Sequence, residues 1–356
     1  MIAFTASGTG GHIYPCIALA EELAKDKTYF ICSQKRKDKE IIAKYGFNFF
    51  SLSGERKNPV KIMWNILKAR KILKREKTKL LISAGGYFTF PIVLAAFSLR
   101  IPIFLLEQNI LSGRVNRYLA IFATKVFLSF PQSERYFSKK KAVFSGNPIR
   151  RFSLKDAVYH ALLKVKLPES SFKILVFGGS QGSLAINKIF FDNYDYFLDQ
   201  DLIIIQVTGA DFYQKVAEKY QNSVSKNNNF LVINDKKGEN RIIVLPYFEN
   251  MEYLYKLADL VVSRSGATTV SELMAFQKKA ILVPFPFAKD NHQFYNAKFY
   301  EDLGLGKLVL EQDLTFSVLL DEINQFKQNR LVAAKEISAD FSSEKAKEII
   351  FSYLNV

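Results

Sequence analysis

The stretch Ile2-Ala3-Phe4-Thr5-Ala6-Ser7-Gly8-Thr9-Gly10-Gly11-His12 runs a short apolar segment straight into a glycine-rich turn. An apolar-periodic segment follows it. The same unit recurs 172 residues on, where Ile174-Leu175-Val176-Phe177 leads into Gly178-Gly179-Ser180-Gln181-Gly182-Ser183. A buried strand, a turn of residues that tolerate tight backbone, then a helix is how a doubly wound α/β domain opens. Its occurrence twice predicts two such domains in tandem, joined near Asn147-Pro148.

The rest of the chain fits this reading. Further apolar runs of four to six residues lie at 29–32, 80–83, 103–106, 125–128, 202–207, 242–245, 260–263 and 280–283. Continuous apolar strands separated by amphipathic segments predict parallel sheets covered on both faces. Ala346, Ile349, Ile350 and Tyr353 predict a helix over 342–354. The length of 356 residues, at roughly 150 per domain, also suggests two domains. We expect 1–149 plus about 339–356 to form the first and 150–338 the second.

A chain that is 49% hydrophobic and 24% charged can bury a real core, which excludes disordered and fibrous classes. Two cysteines, Cys16 and Cys32, are too few for a disulfide framework and read as packing thiols. The net charge of +16 is uneven. Residues 1–150 hold 26 Lys+Arg against 9 Asp+Glu, whereas 151–356 hold 24 against 25. A basic first half asks for an anionic partner: a phosphorylated ligand, an acidic membrane surface or nucleic acid. Nucleic acid would leave the glycine-rich loops without a role. No secretory signal is read at the N-terminus, and the apolar stretch 91–106 is broken by Arg100 and Pro102, so no span is expected.

The loops exclude two common nucleotide motifs. Ile13 stands where a dinucleotide fingerprint needs its last glycine, and Ser33-Gln34 stand where its acid belongs. No Gly-Lys-Ser/Thr follows any glycine cluster. A second loop, Ala84-Gly85-Gly86-Tyr87, follows the run 80–83. With Gly178–Ser183 this makes three glycine-rich loops at strand ends, which suggests diphosphate groups. Polar groups begin where other apolar runs stop: Glu107-Gln108-Asn109, Arg264-Ser265-Gly266-Ala267-Thr268-Thr269, and Asp290-Asn291-His292-Gln293. No Asp-x-Asp follows a predicted strand and no Cys/His cluster exists, so no metal is predicted and no cofactor is expected.

Taken in order, Gly8-Thr9-Gly10-Gly11-His12-x-x-Pro15, Gly85-Gly86-Tyr87, Glu107-Gln108-Asn109, Gly146-Asn147-Pro148-Ile149-Arg150, Gly178-Gly179-Ser180-Gln181-Gly182, Arg264-Ser265-Gly266-Ala267-x-Thr269-x-x-Glu272 and His292-Gln293-x-x-Asn296-Ala297 resemble the MurG family. These are the N-acetylglucosaminyltransferases of peptidoglycan synthesis. The resemblance spans essentially the whole chain. Ser7, Leu106, Thr89-Phe90 and His292 depart from the residues common there.

The resemblance implies a GT-B fold: two Rossmann-like doubly wound parallel-sheet domains facing a deep cleft. It implies inverting transfer of GlcNAc from UDP-GlcNAc to the 4-hydroxyl of MurNAc in undecaprenyl-diphosphate-linked lipid I, giving lipid II and UDP. A GT-B transferase or epimerase acting on another UDP-sugar is the alternative. The first domain would take acceptor and membrane, the second the nucleotide sugar, at the cytoplasmic face of the plasma membrane as a peripheral protein. Carried over by position, Glu272 would accept from the ribose hydroxyls, and the Phe248 backbone would read the uracil edge with Arg150 near the base. Ser180 and Gln181 would hold the diphosphate. Ala267, Asn109, His292 and Gln293 would contact the transferred sugar or a phosphate, and Thr9, Gly10 and Gly11 would line the first loop's substrate site. His12 is the candidate general base, with a phosphate-orienting or capping role as the alternative, and Glu107 is the competing base.

Residues 56–79 hold ten basic residues and one acid. On a helix, Ile62, Ile66, Ala69 and Leu73 form one stripe, while Trp64 falls opposite, beside Leu67, Lys68, Lys71 and Arg75. The chain's single Trp amid cations predicts an anchor for an anionic lipid surface; a solvated basic helix is the alternative.

Overall fold

The structure, a computed structural model, describes residues 1–7, 10–54, 58–150, 157–179, 182–220, 230–328 and 341–354. The chain divides into two compact units, Met1–Arg151 with Ser338–Val356, and Phe152–Ile337.

The first unit is built on strands β1 (Ile2–Thr5), β2 (Thr28–Ser33), β3 (Phe49–Leu52), β4 (Leu80–Ser83), β5 (Ile103–Glu107), β6 (Lys125–Leu128) and β7 (Ala142–Phe144). Their order is β3-β2-β1-β4-β5-β6-β7, and every pair is parallel. The order reverses between β1 and β4, the switch point where open α/β sheets bind ligands. Both sheet faces are covered, as the apolar runs require. Ala3, Tyr29, Ile31, Leu81 and Leu105 point one way, into the residues of α3 (Pro59–Arg75), α4 (Phe90–Ser98) and α5 (Arg114–Leu119). Phe4, Phe30, Ile82, Phe104 and Phe127 point the other way, against α1 (Gly10–Ala20) and α2 (Arg36–Lys44). The period-two alternation along each strand thus feeds two separate cores.

The second unit repeats the plan with β8 (Phe172–Phe177), β9 (Leu202–Val207), β10 (Leu231–Asn234), β11 (Asn240–Leu245), β12 (Leu260–Ser263), β13 (Lys279–Leu282) and β14 (Gly306–Leu308). The order is β10-β11-β9-β8-β12-β13-β14, parallel except for the β10–β11 pair. Eight helices accompany it among the described residues: α6 (Ala157–Leu162), α7 (Leu184–Phe191), α8 (Tyr194–Leu198), α9 (Ala210–Lys219), α10 (Met251–Leu257), α11 (Ala267–Ala275), α12 (His292–Asp302) and α13 (Phe316–Gln328). The two glycine-rich turns of the repeated unit follow β1 and β8, and each of these is an interior strand at the reversal of its sheet's order.

The last helix, α14 (Ser343–Ser352), belongs to the first unit. Its Ile350 is fully buried in the core that holds Phe4 and Phe30. Lys347 pairs with Glu22 at 2.7 Å. Ser343 Oγ accepts from the Ile149 N–H at 2.9 Å and donates to the Ile149 carbonyl at 3.0 Å. Burying one Ile side chain contributes about 1.5–3 kcal/mol, so this helix is part of the first unit's core.

Candidate functional site

In the first unit three of the quoted motifs meet at the carboxyl ends of β1, β4 and β5. Strand register does this: Thr5 pairs with Ser83, Ser83 with Leu105, and Ala84 N–H donates to Thr5 O at 3.0 Å. Gly10 and Gly11 open α1, which places His12 in its first turn. The half-buried His12 ring sets Nδ1 2.9 Å from Ala84 O and 3.1 Å from Gln108 Oε1. Thr9 lies outside the described residues.

Glu107 is buried, and its carboxylate accepts four hydrogen bonds: Asn109 N–H at 3.0 Å, Ser112 Oγ at 2.8 Å, Gly113 N–H at 3.1 Å and Asn116 Nδ2 at 3.0 Å. A carboxylate so occupied organises the loop after β5. It holds up Asn109, which is half-buried at the strand's end. Asn116 also reaches the second glycine-rich loop: a Cβ on Gly85 would stand 2.0 Å from Asn116 Oδ1. Gly85 is therefore required by side-chain packing as well as by its φ of +82°. Gly86, with φ +91° and open space at its Cβ position, leaves the loop backbone approachable.

Two findings concern residues the motifs had left without a role or placed elsewhere. Asp38, buried on α2, accepts from Ser7 Oγ at 2.8 Å and Ser33 Oγ at 2.6 Å, tying the start of the first loop to the end of β2. Arg150 is buried in the first unit, its guanidinium 4.0 Å from the Tyr14 ring centroid and its Nη1 donating to Tyr45 Oη at 3.0 Å. These contacts set the Arg150 cation against two tyrosines of the first unit.

In the second unit the motifs again gather at strand ends. Ser180 and Gln181 lie outside the described residues. On either side of them, a Cβ on Gly178 would stand 2.1 Å from Ser183 N, and Gly182 takes φ +72°, so the turn tolerates only glycine there. Ser183 caps α7 by accepting from Ile186 N–H. Phe248, after β11, is buried. Ala267 is the first residue of α11, where helix N–H groups lack intrahelical acceptors. One turn further, Glu272 is buried and accepts from Tyr255 Oη at 2.8 Å. Tyr255 has no sequence signal, since it stands 17 residues before its partner.

Arg264 braces the loop after β13. It donates to Val283 O at 3.2 Å and Pro284 O at 3.0 Å and pairs with Glu311. Gln293 Oε1 accepts from Phe285 N–H at 3.0 Å, so its oxygen holds the loop after β13. His292 opens α12 after two residues in left-handed backbone, Asp290 (φ 52°) and Asn291 (φ 54°), with Nδ1 2.8 Å from Lys289 O. Strained non-glycine backbone of this kind costs about 1–3 kcal/mol per residue. Among the described residues, no group of three or more His, Cys, Asp or Glu could hold a metal ion.

On α3, Asn58 caps the start, accepting from the Val60 and Lys61 N–H groups, and Pro59 occupies the first turn. Asn65, Ala69 and Leu73 are buried. Val60, Met63, Trp64 and Leu67 are 51–75% exposed and recur every three or four residues, so they form one apolar stripe on the open face. Lys68 Nζ lies 5.4 Å from the Trp64 ring, and Lys71 is exposed. Arg75 instead lays its guanidinium 4.8 Å from the Phe50 ring and pairs with Glu76, which holds it to its own domain. Exposed Phe97 on α4 and Tyr118 on α5 belong to the same helical layer of the sheet. No helix among the described residues is long and apolar enough to cross a membrane.

Comparison with known proteins agrees across the chain. The glycosyltransferase family 28 N-terminal domain matches residues 2–128 and the family 28 C-terminal domain matches residues 173–351. A UDP-N-acetylglucosamine--N-acetylmuramyl-(pentapeptide) pyrophosphoryl-undecaprenol N-acetylglucosamine transferase of Halothermothrix orenii is 36% identical, covering 88% of this chain and 86% of its own. Its namesake in Bacillus cytotoxicus is 32% identical over 98% of both. The crystal structure of Acinetobacter baumannii MurG superposes with a TM-score of 0.75 at 24% identity, covering 99% of this chain and 98% of that one. A UDP-GlcNAc 2-epimerase of Neisseria meningitidis shares the fold at a TM-score of 0.65 and 14% identity, covering 99% of both chains. Both units carry the GT-B plan of these neighbours, and the chain belongs to glycosyltransferase family 28.

Proposed function

We propose that this protein transfers N-acetylglucosamine from UDP-N-acetylglucosamine to the 4-hydroxyl of the N-acetylmuramyl sugar of pyrophosphoryl-undecaprenol-linked lipid I, giving lipid II and UDP. The full-length relatives carry this activity in their names. The structural observation that supports it is the seating of His12 at the switch point of the first sheet. Ala84 O is an unambiguous acceptor, so Nδ1 bears the hydrogen and the neutral ring keeps its lone pair on Nε2. That nitrogen takes the hydroxyl proton as the sugar oxygen bonds to the anomeric carbon. The bond from that carbon to the UDP oxygen breaks, its electron pair leaves on UDP, and the configuration inverts.

In the second unit Glu272 accepts from the ribose hydroxyls and the Phe248 backbone reads the uracil edge. The turn 178–183 and the start of α7 hold the diphosphate, where N–H groups favour anions. Ala267, His292 and the Gln293 NH2 meet the transferred sugar or a phosphate, and Asn109, at the end of β5, is a further sugar contact. The open face of α3 rests on the anionic membrane surface that carries the acceptor. Incubation of the protein with radiolabelled UDP-N-acetylglucosamine and a lipid I analogue should give labelled lipid. Labelled free sugar alone, or an epimerised nucleotide sugar, would remove this reading.

A further inference from the structure

Gln108 is the one member of Glu107-Gln108-Asn109 with no stated role. Its side chain is buried. Its Nε2 donates to Leu106 O at 3.2 Å, which settles which end of the amide faces which way. The other end, Oε1, is thereby turned to His12 Nδ1 at 3.1 Å. His12 Nδ1 so meets two acceptors, one from the loop after β4 and one from the loop after β5. We infer that Gln108 is a positioning residue that fixes the tautomer and ring orientation of His12, so that Nε2 carries the lone pair toward the acceptor hydroxyl.

The chemistry needs such a device. A neutral imidazole exists in two tautomers, and the one with hydrogen on Nε2 cannot take a proton there. A single carbonyl favours the tautomer only while the ring stays on it, and it leaves the ring free to swing off that one contact, where either tautomer can form. A second acceptor from a different loop removes the swing. When Nε2 takes the proton, the Nδ1–H stays satisfied by both oxygens, so the ring need not move during the reaction. The neighbouring carboxylate, Glu107, is held by its four donors and is not the ring's partner. A neutral amide therefore does the orienting that an acid performs in a serine-protease triad.

The inference rests on the reading of His12 as base, and its test separates the two. The chain has three histidines, so full-length protein with isotope-labelled histidine gives three imidazole signals, and His12→Ala identifies one. In wild type, that signal should report hydrogen on Nδ1 when the ring is neutral. Gln108→Met keeps the length and removes the oxygen. Loss of the correct tautomer costs a protease about 10⁴ in kcat. Here Ala84 O remains, so we expect a smaller loss in kcat, about ten- to hundredfold, with the KM for UDP-N-acetylglucosamine within about twofold and the His12 signal shifted to a tautomer mixture. Gln108→Glu restores an acceptor and, at its own pH optimum, should recover the Nδ1–H signal and exceed Gln108→Met in kcat.

Wild-type turnover in Gln108→Met overturns the proposal. So does a loss of turnover with the Nδ1–H signal intact, which would make Gln108 merely structural. If Gln108→Met does not fold, loss of the Nδ1–H signal in Gln108→Glu overturns it equally. Failure of the base reading shows separately, as His12→Ala turning over within a few fold of wild type.

Discussion

The Tyr255 hydroxyl donates to Glu272 Oε2 at 2.8 Å from a fully buried position, stacked on Phe276 and edge-on to Phe177. An aromatic so held has no freedom to follow the carboxylate, so it fixes where Glu272 points. Glu272→Ala should weaken UDP-N-acetylglucosamine binding by about 1–3 kcal/mol, the scale of hydrogen bonds to a charged group. Tyr255→Phe should cost about 0.5–1.5 kcal/mol by releasing that group. Acceptor affinity should not move. Titration calorimetry with the nucleotide sugar decides, and unchanged affinity in Glu272→Ala would place the ribose elsewhere.

His12→Ala should lower kcat about a hundredfold or more, as loss of a general base does, while nucleotide-sugar binding stays near normal. Initial rates at saturating donor measure it. Glu107→Gln should instead show its effect first in thermal unfolding, since it weakens a brace for four donors.

Membrane attachment should follow the α3 stripe. Each Lys near an anionic surface contributes about 1 kcal/mol, fading with salt. Lys68→Glu with Lys71→Glu should release the protein from anionic vesicles, and Trp64→Ala should weaken what remains. Arg75→Glu should matter less for vesicles than for stability, given its contacts with Phe50 and Glu76. Co-sedimentation across a salt series, beside turnover of a short water-soluble acceptor, separates attachment from catalysis. Undiminished pelleting of the double variant would leave α3 as a solvated helix.

Gly85→Ala should destabilise the first unit by about 2 kcal/mol or more, because the new methyl meets Asn116 Oδ1 and the residue must keep a left-handed φ. Gly86→Ala has space and only the φ penalty, so it should cost less. Paired denaturant melts compare them, and equal losses would discount the Asn116 contact.

Burial pushes the thiols of Cys16 and Cys32 up to about 12. A thiol so raised is almost wholly protonated at pH 8, at roughly one thiolate in 10⁴. Native protein should therefore consume almost no thiol reagent, and unfolding should expose both groups at once. Rapid labelling of the native state would mean that the core shared by Cys16, Cys32, Phe4 and Phe30 opens.

The reading of the sequence reached the interior of both sheets and stopped at their rims. Ten strands were legible; the four that were not are β3, β7, β10 and β14, the two outer strands of each sheet. An outer strand is paired on one side only, so its residues need not be uniformly apolar, as in β3 and β14, while the apolar part of β7 and of β10 is only three residues long. Ser51 and Lys307 are exposed, and β7 has no fully buried residue. The site shows the same limit. His12, Glu107 and Glu272 announce themselves by chemical type beside glycine-rich turns. What each one does depends on partners that spacing does not reveal. Glu107 is claimed by a loop, Arg150 by Tyr14 and Tyr45, and Glu272 by a tyrosine in another helix. Ser33 and Asp38 stand five residues apart, yet only the fold shows that Ser7 joins them.

The place of α14 has a consequence for the order of events at synthesis. The strands and other helices of the first unit are complete by residue 150, but Ile350 of its core and Ser343, which holds Ile149, arrive almost 200 residues later. At about 5–20 residues per second, the nascent first unit waits roughly 10–40 s with that side of its core open. The second unit, by contrast, has all its described strands and helices in hand by residue 328. The half made first is thus the half finished last, and its core closes only as the final helix is delivered.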